Sequence, residues 1–143
     1  MKQINEIWKD VVGFENLYQV SNFGRVKRKK GETIYKDGRI AHFSETVLKQ
    51  AVCKKGYLIV YLSKNSIKKT KQVHRIVAEA FIENPQMKET VNHKDCNKTN
   101  NCVYNLEWMT NHENINHSIE NGRYKYREEK RILTGRKIKN QYS

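Results

Sequence analysis

The chain has 143 residues, of which 37% are apolar, so it has the material for one domain with a modest core. Its 28 Lys and Arg residues against 15 Asp and Glu give a net charge of +13, an excess that favours a nucleic-acid partner over a solubilising surface or an anionic membrane. No segment approaches the roughly 18 consecutive apolar residues of a membrane span. The first residues lack the apolar core of a signal peptide, so we expect a soluble, cytoplasmic protein without a membrane partner.

The three cysteines, Cys53, Cys96 and Cys102, cannot pair completely and show no close CxxC spacing. A zinc site built from Cys96, Cys102 and nearby histidines is one alternative, but structural zinc sites usually bring cysteines in close pairs. We favour reduced thiols, as in a cytosolic protein.

The first fifty residues predict a small hairpin followed by a basic run. Residues 18–26 place β-forming side chains on both sides of a Ser-Asn-Phe-Gly turn, and Trp8 and Phe14 are expected to cover one face of the two strands. A charge run is usually a solvated face, but beside an aromatic hairpin in so basic a chain we favour phosphate contact. The candidate contacts in this run are Arg25, Lys27 and Arg28.

Residues 31–46 are polar with two glycines, which indicates a loop or an irregular excursion. One strand is expected over 47–53 and a stronger one over 57–62, followed by a turn at 64–66 and a partner strand that returns over 71–74. Residues 54–75 contain no acid, so this hairpin is a second candidate surface for the nucleic-acid backbone. Its candidate contacts are Lys54, Lys55, Lys69, Lys71 and, at the start of the next element, Arg75.

The apolar period then changes to that of a helix, which we expect over 74–82, ending before Asn84-Pro85. His74 lies at its start. We interpret His74 as a hydrogen-bonded histidine at a strand–helix junction and not as a ligand.

Residues 91–117 carry the pattern most closely tied to chemistry. A short strand ending at His93 leads into an Asn- and Asp-rich loop, and a second strand returns over 106–109. Thr110 and Glu113 form a capping-box pattern that starts a helix at Asn111, with Asn114 and His117 on one face. A histidine beside oxygen ligands suits metal-assisted attack of water on a phosphodiester. The alternative is a turn histidine among ordinary capping amides.

Three motifs in this order resemble the HNH endonucleases with a ββα-metal motif, especially the small phage-type homing endonucleases. The YQVSNFGRV stretch resembles the modular DNA-binding motif that often precedes the nuclease domain. Residues 73–81 resemble the family's lead-in helix, and residues 91–117 resemble its catalytic core. The resemblance implies an α+β fold of N-terminal hairpins and a ββα-metal core. We expect a DNA-binding motif in residues 1–50, the nuclease core in 51–122, and a basic C-terminal helix or arm in 123–143.

The resemblance also implies roles for individual residues. His93 falls on the catalytic base, and Asn105 on the asparagine of the catalytic set that holds the loop by hydrogen bonds without doing chemistry. Asn92 and Asn114 fall on the metal-ligand positions, although an aspartate is common at the first of these. Cys96 stands where the family often has glycine, so we expect the neighbouring Asn97 to make the turn. Apart from the resemblance, His117 is a candidate for the outer metal shell or for phosphate contact, with a solvated helix face as the alternative.

These assignments define an expected chemistry. An imidazole with a pKa near ~6.5 is largely neutral at pH 7, so His93 can take a proton from water. Oxygen ligands favour Mg²⁺ or Mn²⁺ over zinc. Because two amides add no negative charge, we expect poor metal affinity without DNA and tighter binding after Asn92→Asp.

The function we expect is a divalent-metal-dependent endonuclease acting on double-stranded DNA, with nicking of one strand as an option for a single-site monomer. One alternative is a nuclease-derived DNA-binding protein that has lost cleavage through Asn92. Another is an RNA-binding module, although no aromatic RNP strand supports it. Sequence specificity is expected to be limited or lent by a protein partner, and the oligomeric state stays open.

Overall fold

The structure, a computed structural model, describes residues 4–121, so the expected basic arm at 123–143 lies outside the described residues. Most of the described chain forms short antiparallel strands, with two helices. The strands are β1 (Trp8–Asp10), β2 (Tyr18–Ser21), β3 (Val26–Arg28), β4 (Gly31–Ile34), β5 (Ile40–Phe43), β6 (Thr46–Val47), β7 (Ala51–Val52), β8 (Leu58–Lys64), β9 (Ile67–Gln72), β10 (Thr90–His93) and β11 (Leu106–Met109). The helices are α1 (Val73–Phe81) and α2 (Asn111–Glu120), and a 3-10 turn spans Val103–Asn105.

The hairpin expected over residues 18–26 is confirmed. Strands β2 and β3 pair antiparallel within a sheet of order β1-β2-β3-β6. Their turn uses the Ser21 hydroxyl, which accepts hydrogen bonds from the backbone N–H groups of Phe23 (3.2 Å) and Arg25 (3.1 Å). Gly24 adopts a φ of +86°, which a side chain rarely allows. The sequence therefore matches the turn geometry residue by residue.

The expectation of a loop over residues 31–46 is wrong. Strands β4 and β5 form a separate two-stranded hairpin, closed through Gly38 at φ +86°. It escapes the hydrophobic pattern because it lies almost wholly in solvent, so its stability rests on backbone pairing and not on one buried face. The single strand expected over 47–53 is likewise divided, since β6 pairs with β3 and β7 pairs with β8.

Strands β7, β8 and β9 form a second sheet that leads into α1. The turn between β8 and β9 places Asn65 and Ser66 at φ +52° and +63°, the backbone signature of a tight hairpin. Strand β9 begins earlier than expected, at Ile67, and ends at Gln72, so His74 belongs to the helix. The helix itself is confirmed, because its apolar period buries Val73, Ile76 and Val77.

One hydrophobic cluster joins the first fifty residues to the rest of the described chain. Val20 and Val26 of the N-terminal sheet are fully buried, and so are Val60 and Leu62 of β8. Helix α1 contributes its buried face to the same cluster. The division at residue 50 stays a prediction, while the packing across it is continuous.

Strands β10 and β11 followed by α2 form the expected ββα unit. Position 92 lies directly opposite Glu107 in the antiparallel register. The capping box is confirmed, because the Thr110 hydroxyl accepts from the Glu113 N–H at 3.1 Å and the Glu113 carboxylate accepts from the Thr110 N–H at 2.8 Å. Trp108 donates its indole N–H to the carbonyl of Ile82 at 3.0 Å, which fastens the unit to the end of α1. Within residues 4–121, no helix is long and apolar enough to cross a membrane.

Candidate active site

A polar cleft of about 200 Å³ opens between β10 and α2. Four residues singled out from the sequence line it together: Asn92, His93, Asn114 and His117. Tyr57, which precedes β8, and Lys98 from the loop add to the polar lining, as does Ser118 of α2. The structure therefore brings the candidate base and both candidate ligands to one place, as the hairpin-to-helix order predicts.

His93 lies at the end of β10 with 5% of its surface exposed. Its Nε2 lies 2.7 Å from the side-chain oxygen of Asn101. An amide oxygen only accepts hydrogen bonds, so this contact requires the proton on Nε2 and makes Nδ1 the basic nitrogen. This tautomer is the one that a general base needs, with one nitrogen held and the other able to take a proton.

Two aromatic rings, those of His74 and Tyr57, pack against the His93 imidazole. The ring of His74 lies 5.0 Å from that of His93 and 4.8 Å from that of Tyr57, measured between centroids. Burial lowers the pKa of His74 to about 3, and the charges of the Arg75 guanidinium and of His93, when that ring is protonated, act in the same direction. His74 is therefore a neutral packing ring.

His74 lies at the strand–helix junction, as expected. The hydrogen bond expected for it is not found at Nδ1, which is buried without a partner among residues 4–121. The ring instead packs against the two aromatic neighbours in the stack.

Asn105 holds the loop in the way that the resemblance implies. Its side-chain Nδ2 donates to the Asp95 carboxylate at 2.9 Å and to the Asn100 carbonyl at 2.8 Å, while its Oδ1 accepts from the Asp95 N–H at 3.1 Å. Hydrogen bonds from Asn100, from the Asn97 backbone and from Asn105 lower the pKa of Asp95. The loop after β10 is thus closed around one buried amide.

The expectation that Asn97 makes the loop turn is wrong. Cys96 itself takes the left-handed conformation, with φ +63°, and its N–H bonds the carbonyl of His93 at 3.0 Å. The Asp95 carboxylate accepts from the Asn97 N–H at 2.8 Å, which fixes the turn locally without a glycine. In residues 4–121, no group of three or more His, Cys, Asp or Glu side chains could hold a metal, so the zinc alternative finds no cluster there.

Asn92 is oriented by a residue on the opposite strand. Its Nδ2 donates to the Glu107 carboxylate at 3.1 Å, and a carboxylate requires a donor at that contact. The side-chain oxygen of the same amide, Oδ1, is the atom that can coordinate a cation. Asn114 lies in the first turns of α2 and lines the same cleft. Two amide oxygens suit a hard divalent cation such as Mg²⁺ or Mn²⁺, so the residues fit the metal that the resemblance implies.

The candidate DNA contacts fall into two groups. In the first, Arg25 pairs with Glu6, with Nε 2.8 Å from Oε1, and Lys27 pairs with Glu45 at 2.9 Å. Arg28 lies over the ring of Phe43, 3.5 Å from its centroid. These cations are therefore held by the protein itself.

The second group is more open to a partner. Lys54, Lys55 and Lys69 are exposed, and Lys71 is half-buried beside them. Arg75 differs, because its guanidinium donates to the Glu89 carbonyl at 2.9 Å and lies over the Trp108 ring. The sheet formed by β7, β8 and β9, with its turns, thus carries the cations best placed to meet phosphate.

Three residues near the cleft were not identified from the sequence: Asn101, Glu107 and Lys98. Asn101 and Glu107 act through His93 and Asn92, respectively. Lys98 donates to the Lys55 carbonyl at 2.7 Å and lies over the Tyr57 ring. Strand register alone could have indicated Glu107, because it is the direct neighbour of Asn92 across the hairpin.

Comparison with known proteins agrees with this geometry. The NUMOD4 motif matches residues 6–63. The DNA endonuclease I-HmuI of Bacillus phage SP01 is 38% identical over 135 residues, covering 94% of this chain and 68% of that protein. An uncharacterized HNH endonuclease of Acanthamoeba polyphaga mimivirus is 44% identical over 115 residues, covering 80% of this chain. A solved structure of the HNH homing endonuclease I-HmuI matches with a TM-score of 0.70 and 36% identity, over 90% of this chain and 66% of that one.

The chain spans 30% of the length of that mimivirus protein and 27% of a second mimivirus HNH endonuclease, to which it is 37% identical. It covers two thirds of the phage protein, and there the likeness extends through sequence and fold. The chain belongs to the HNH endonuclease family, with a mixed α+β fold like that of the phage homing endonuclease.

Proposed function

We propose that the chain is a divalent-metal-dependent endonuclease that hydrolyses phosphodiester bonds of double-stranded DNA. The observation that carries the proposal is the cleft itself, where His93, in the tautomer of a base, lies with the two amide residues Asn92 and Asn114. The relative from phage SP01 is named a DNA endonuclease, and the solved I-HmuI structure is described as showing DNA binding and cleavage. A phage relative also supports the cytoplasm of a bacterial host as the setting.

The chemistry follows from the side chains in the cleft. We assign His93 as the general base, because its Nδ1 can accept the proton of a water molecule while Asn101 holds its Nε2–H. Asn92 and Asn114 would hold Mg²⁺ or Mn²⁺, with the phosphate completing the ligand set. When bound, the metal supplies stabilisation of negative charge on the phosphate and on the departing oxygen. Asn105 keeps the loop closed beside the site and does not contact the reacting atoms.

The basic surface of the sheet formed by β7, β8 and β9, with its turns, would hold the DNA backbone near this cleft. A hydrogen bond from Lys98 to the Lys55 carbonyl links the turn between β7 and β8 directly to the loop after β10. His117 of α2 lines the cleft and is our candidate for a further phosphate contact. Phosphate contacts carry no sequence information by themselves, so this surface supports affinity more than specificity.

A second function, DNA binding without cleavage, is favoured by one observation. Among the described residues that line the cleft there is no carboxylate, so within residues 4–121 the lining itself offers the metal no negative charge. The two functions differ in whether bound DNA is cut.

Relaxation of supercoiled plasmid with Mg²⁺ or Mn²⁺ separates the two functions. We expect wild type to nick the plasmid, EDTA to stop the reaction, and His93→Ala to be inactive while it retains DNA affinity in filter binding. If wild type binds duplex DNA but cuts with neither ion, the DNA-binding function replaces the proposal. Tighter binding to RNA than to duplex DNA across a salt series would favour the RNA-binding alternative instead.

A further inference from the structure

The turn of the N-terminal hairpin, residues 22–25, packs against the loop that contains Asn101, and the Asn101 side chain contacts the candidate base. A Cβ atom placed on Gly24 would lie 2.9 Å from both the Cβ and the carbonyl oxygen of Asn101. Next to this contact, the backbone N–H of Val103 donates to the Asn22 carbonyl at 2.9 Å. The turn and the loop before β11 therefore meet backbone to backbone, at a distance that only glycine permits.

Asn101 connects this contact to His93. It is 3% exposed, and its Oδ1 makes the 2.7 Å contact with the imidazole Nε2. Its own Nδ2 is buried with no hydrogen-bond partner among residues 4–121. A buried amide that is satisfied at only one end costs stability. Such a residue is therefore better explained by its hold on His93 than by its contribution to folding.

The turn is itself rigid, so it can serve as a support. The Asn22 side chain accepts from the Ile7 N–H at 2.7 Å and donates to the Asn5 carbonyl at 3.1 Å. Gln50 donates from its side chain to the Gly24 carbonyl at 2.8 Å. The turn thus has fixed partners on both sides before it meets Asn101.

We propose that this turn of the N-terminal motif positions the His93 imidazole, acting through Gly24 and Asn101. Both are positioning residues, since neither touches the reacting atoms. A displaced turn would move Asn101 and break its hydrogen bond with the His93 Nε2–H. The imidazole would then no longer be held in one tautomer and one orientation. The inference rests on the proposed function only for the role of His93 as base, because the mechanical link exists whatever His93 does.

Gly24→Ala tests the link, with Gly13→Ala as the matched control. Both glycines have nearly the same φ, +86° and +85°, so both variants carry a similar backbone penalty. Only at Gly24 does the new methyl group meet Asn101, because nothing lies within 4 Å of the position at Gly13. Any effect beyond that of Gly13→Ala therefore reports the contact with the loop.

Two measurements are made on the full chain. In ¹⁵N-edited NMR of the imidazoles, wild type and Gly13→Ala should show a protected His93 Nε2–H, which Gly24→Ala should weaken or lose. In single-turnover cleavage, Gly24→Ala should be slower than Gly13→Ala by roughly 10- to 100-fold, the effect of misplacing a catalytic group by about 1 Å. Affinity for DNA should differ between the two variants by less than about twofold, because no proposed phosphate contact is changed.

Asn101→Ala gives a second route if Gly24→Ala fails to fold. It should remove the protected Nε2–H and slow cleavage while leaving DNA affinity intact. A His93 signal that stays as in wild type in whichever of these variants folds would overturn the proposal. If wild type does not cleave DNA but the His93 signal responds to both variants, the proposed function fails and the hold of the turn on His93 stands.

Discussion

Replacement of Asn92 by aspartate should have opposite effects on the metal-free and metal-bound protein. Asn92 is 8% exposed, and its Nδ2 lies 3.1 Å from the Glu107 carboxylate on the directly opposed strand position. Asn92→Asp replaces that hydrogen bond with two facing negative charges. Loss of the bond and cross-strand repulsion together should cost about 1–2 kcal/mol of unfolding free energy, or roughly 5 °C in Tm.

When a divalent cation is bound, Asn92→Asp should stabilise the protein, because the new carboxylate attracts the metal. One added negative charge about 4 Å from a divalent cation, screened as in water, contributes about 2 kcal/mol, which is roughly a thirtyfold gain in metal affinity. Calorimetry without DNA should show weak binding of Mn²⁺ by wild type and tighter binding by Asn92→Asp. Thermal melts should place the variant below wild type in EDTA and show a larger rise in Tm with added metal. Tight metal binding by DNA-free wild type, or a variant with unchanged affinity, would refute the reasoning.

The double variant Asn92→Asp with Glu107→Gln isolates the contribution of cross-strand repulsion to the loss of stability. The glutamine amide can donate to the new carboxylate, so the hydrogen bond returns with its direction reversed. Stability in EDTA should recover most of the loss, while the metal affinity stays above that of wild type. If the double variant melts as low as the single one, repulsion from Glu107 is not the cause.

Three further results are expected. The folded-state pKa of His74, about 3, lies below the unfolded value near ~6.5, so the unfolded chain binds the proton first as pH falls. Stability should fall by about 2 kcal/mol between pH 6 and pH 4 in urea denaturation, and His74→Gln should flatten this decline; an equally steep curve in the variant would exclude His74 as the cause. Asn105→Ala removes the three side-chain hydrogen bonds that close the loop and should lower the unfolding free energy by about 2–3 kcal/mol, so an unchanged urea midpoint would contradict its role. Replacing both Lys54 and Lys55 by glutamine should reduce the slope of log K against log salt for duplex DNA by about 2 with little change in Tm, whereas an unchanged slope would remove them from the DNA surface.

The elements with a strong local pattern could be predicted from the sequence. The apolar period of α1 and the Thr110–Glu113 capping box each specify a helix through interactions within a few residues. The hairpin β4–β5 cannot be predicted in this way, since both of its faces meet solvent and its sequence does not alternate between apolar and polar residues. Local chemistry thus predicts the elements that bury one face and fails for those that bury neither.

The site shows the same division. His93, Asn92 and Asn114 could be singled out because the hairpin-to-helix order brings them together. Asn101 could not, because its importance lies in a hydrogen bond across a loop, and Glu107 could have been indicated only through the strand register that places it opposite Asn92. Cys96 was misjudged because its left-handed backbone depends on the Asp95 side chain bonding the next residue, and not on the cysteine itself.

The continuous core described above also bears on how such a protein can be rearranged. The NUMOD4 match runs from residue 6 to residue 63 and so includes β8, whose Val60 and Leu62 lie in the same buried cluster as α1. A fragment that starts at residue 51 would expose the partners of Val20 and Val26 and would leave Asn101 without its support. An exchange between relatives that preserves this packing would therefore have to transfer the turn and the loop it contacts as one unit.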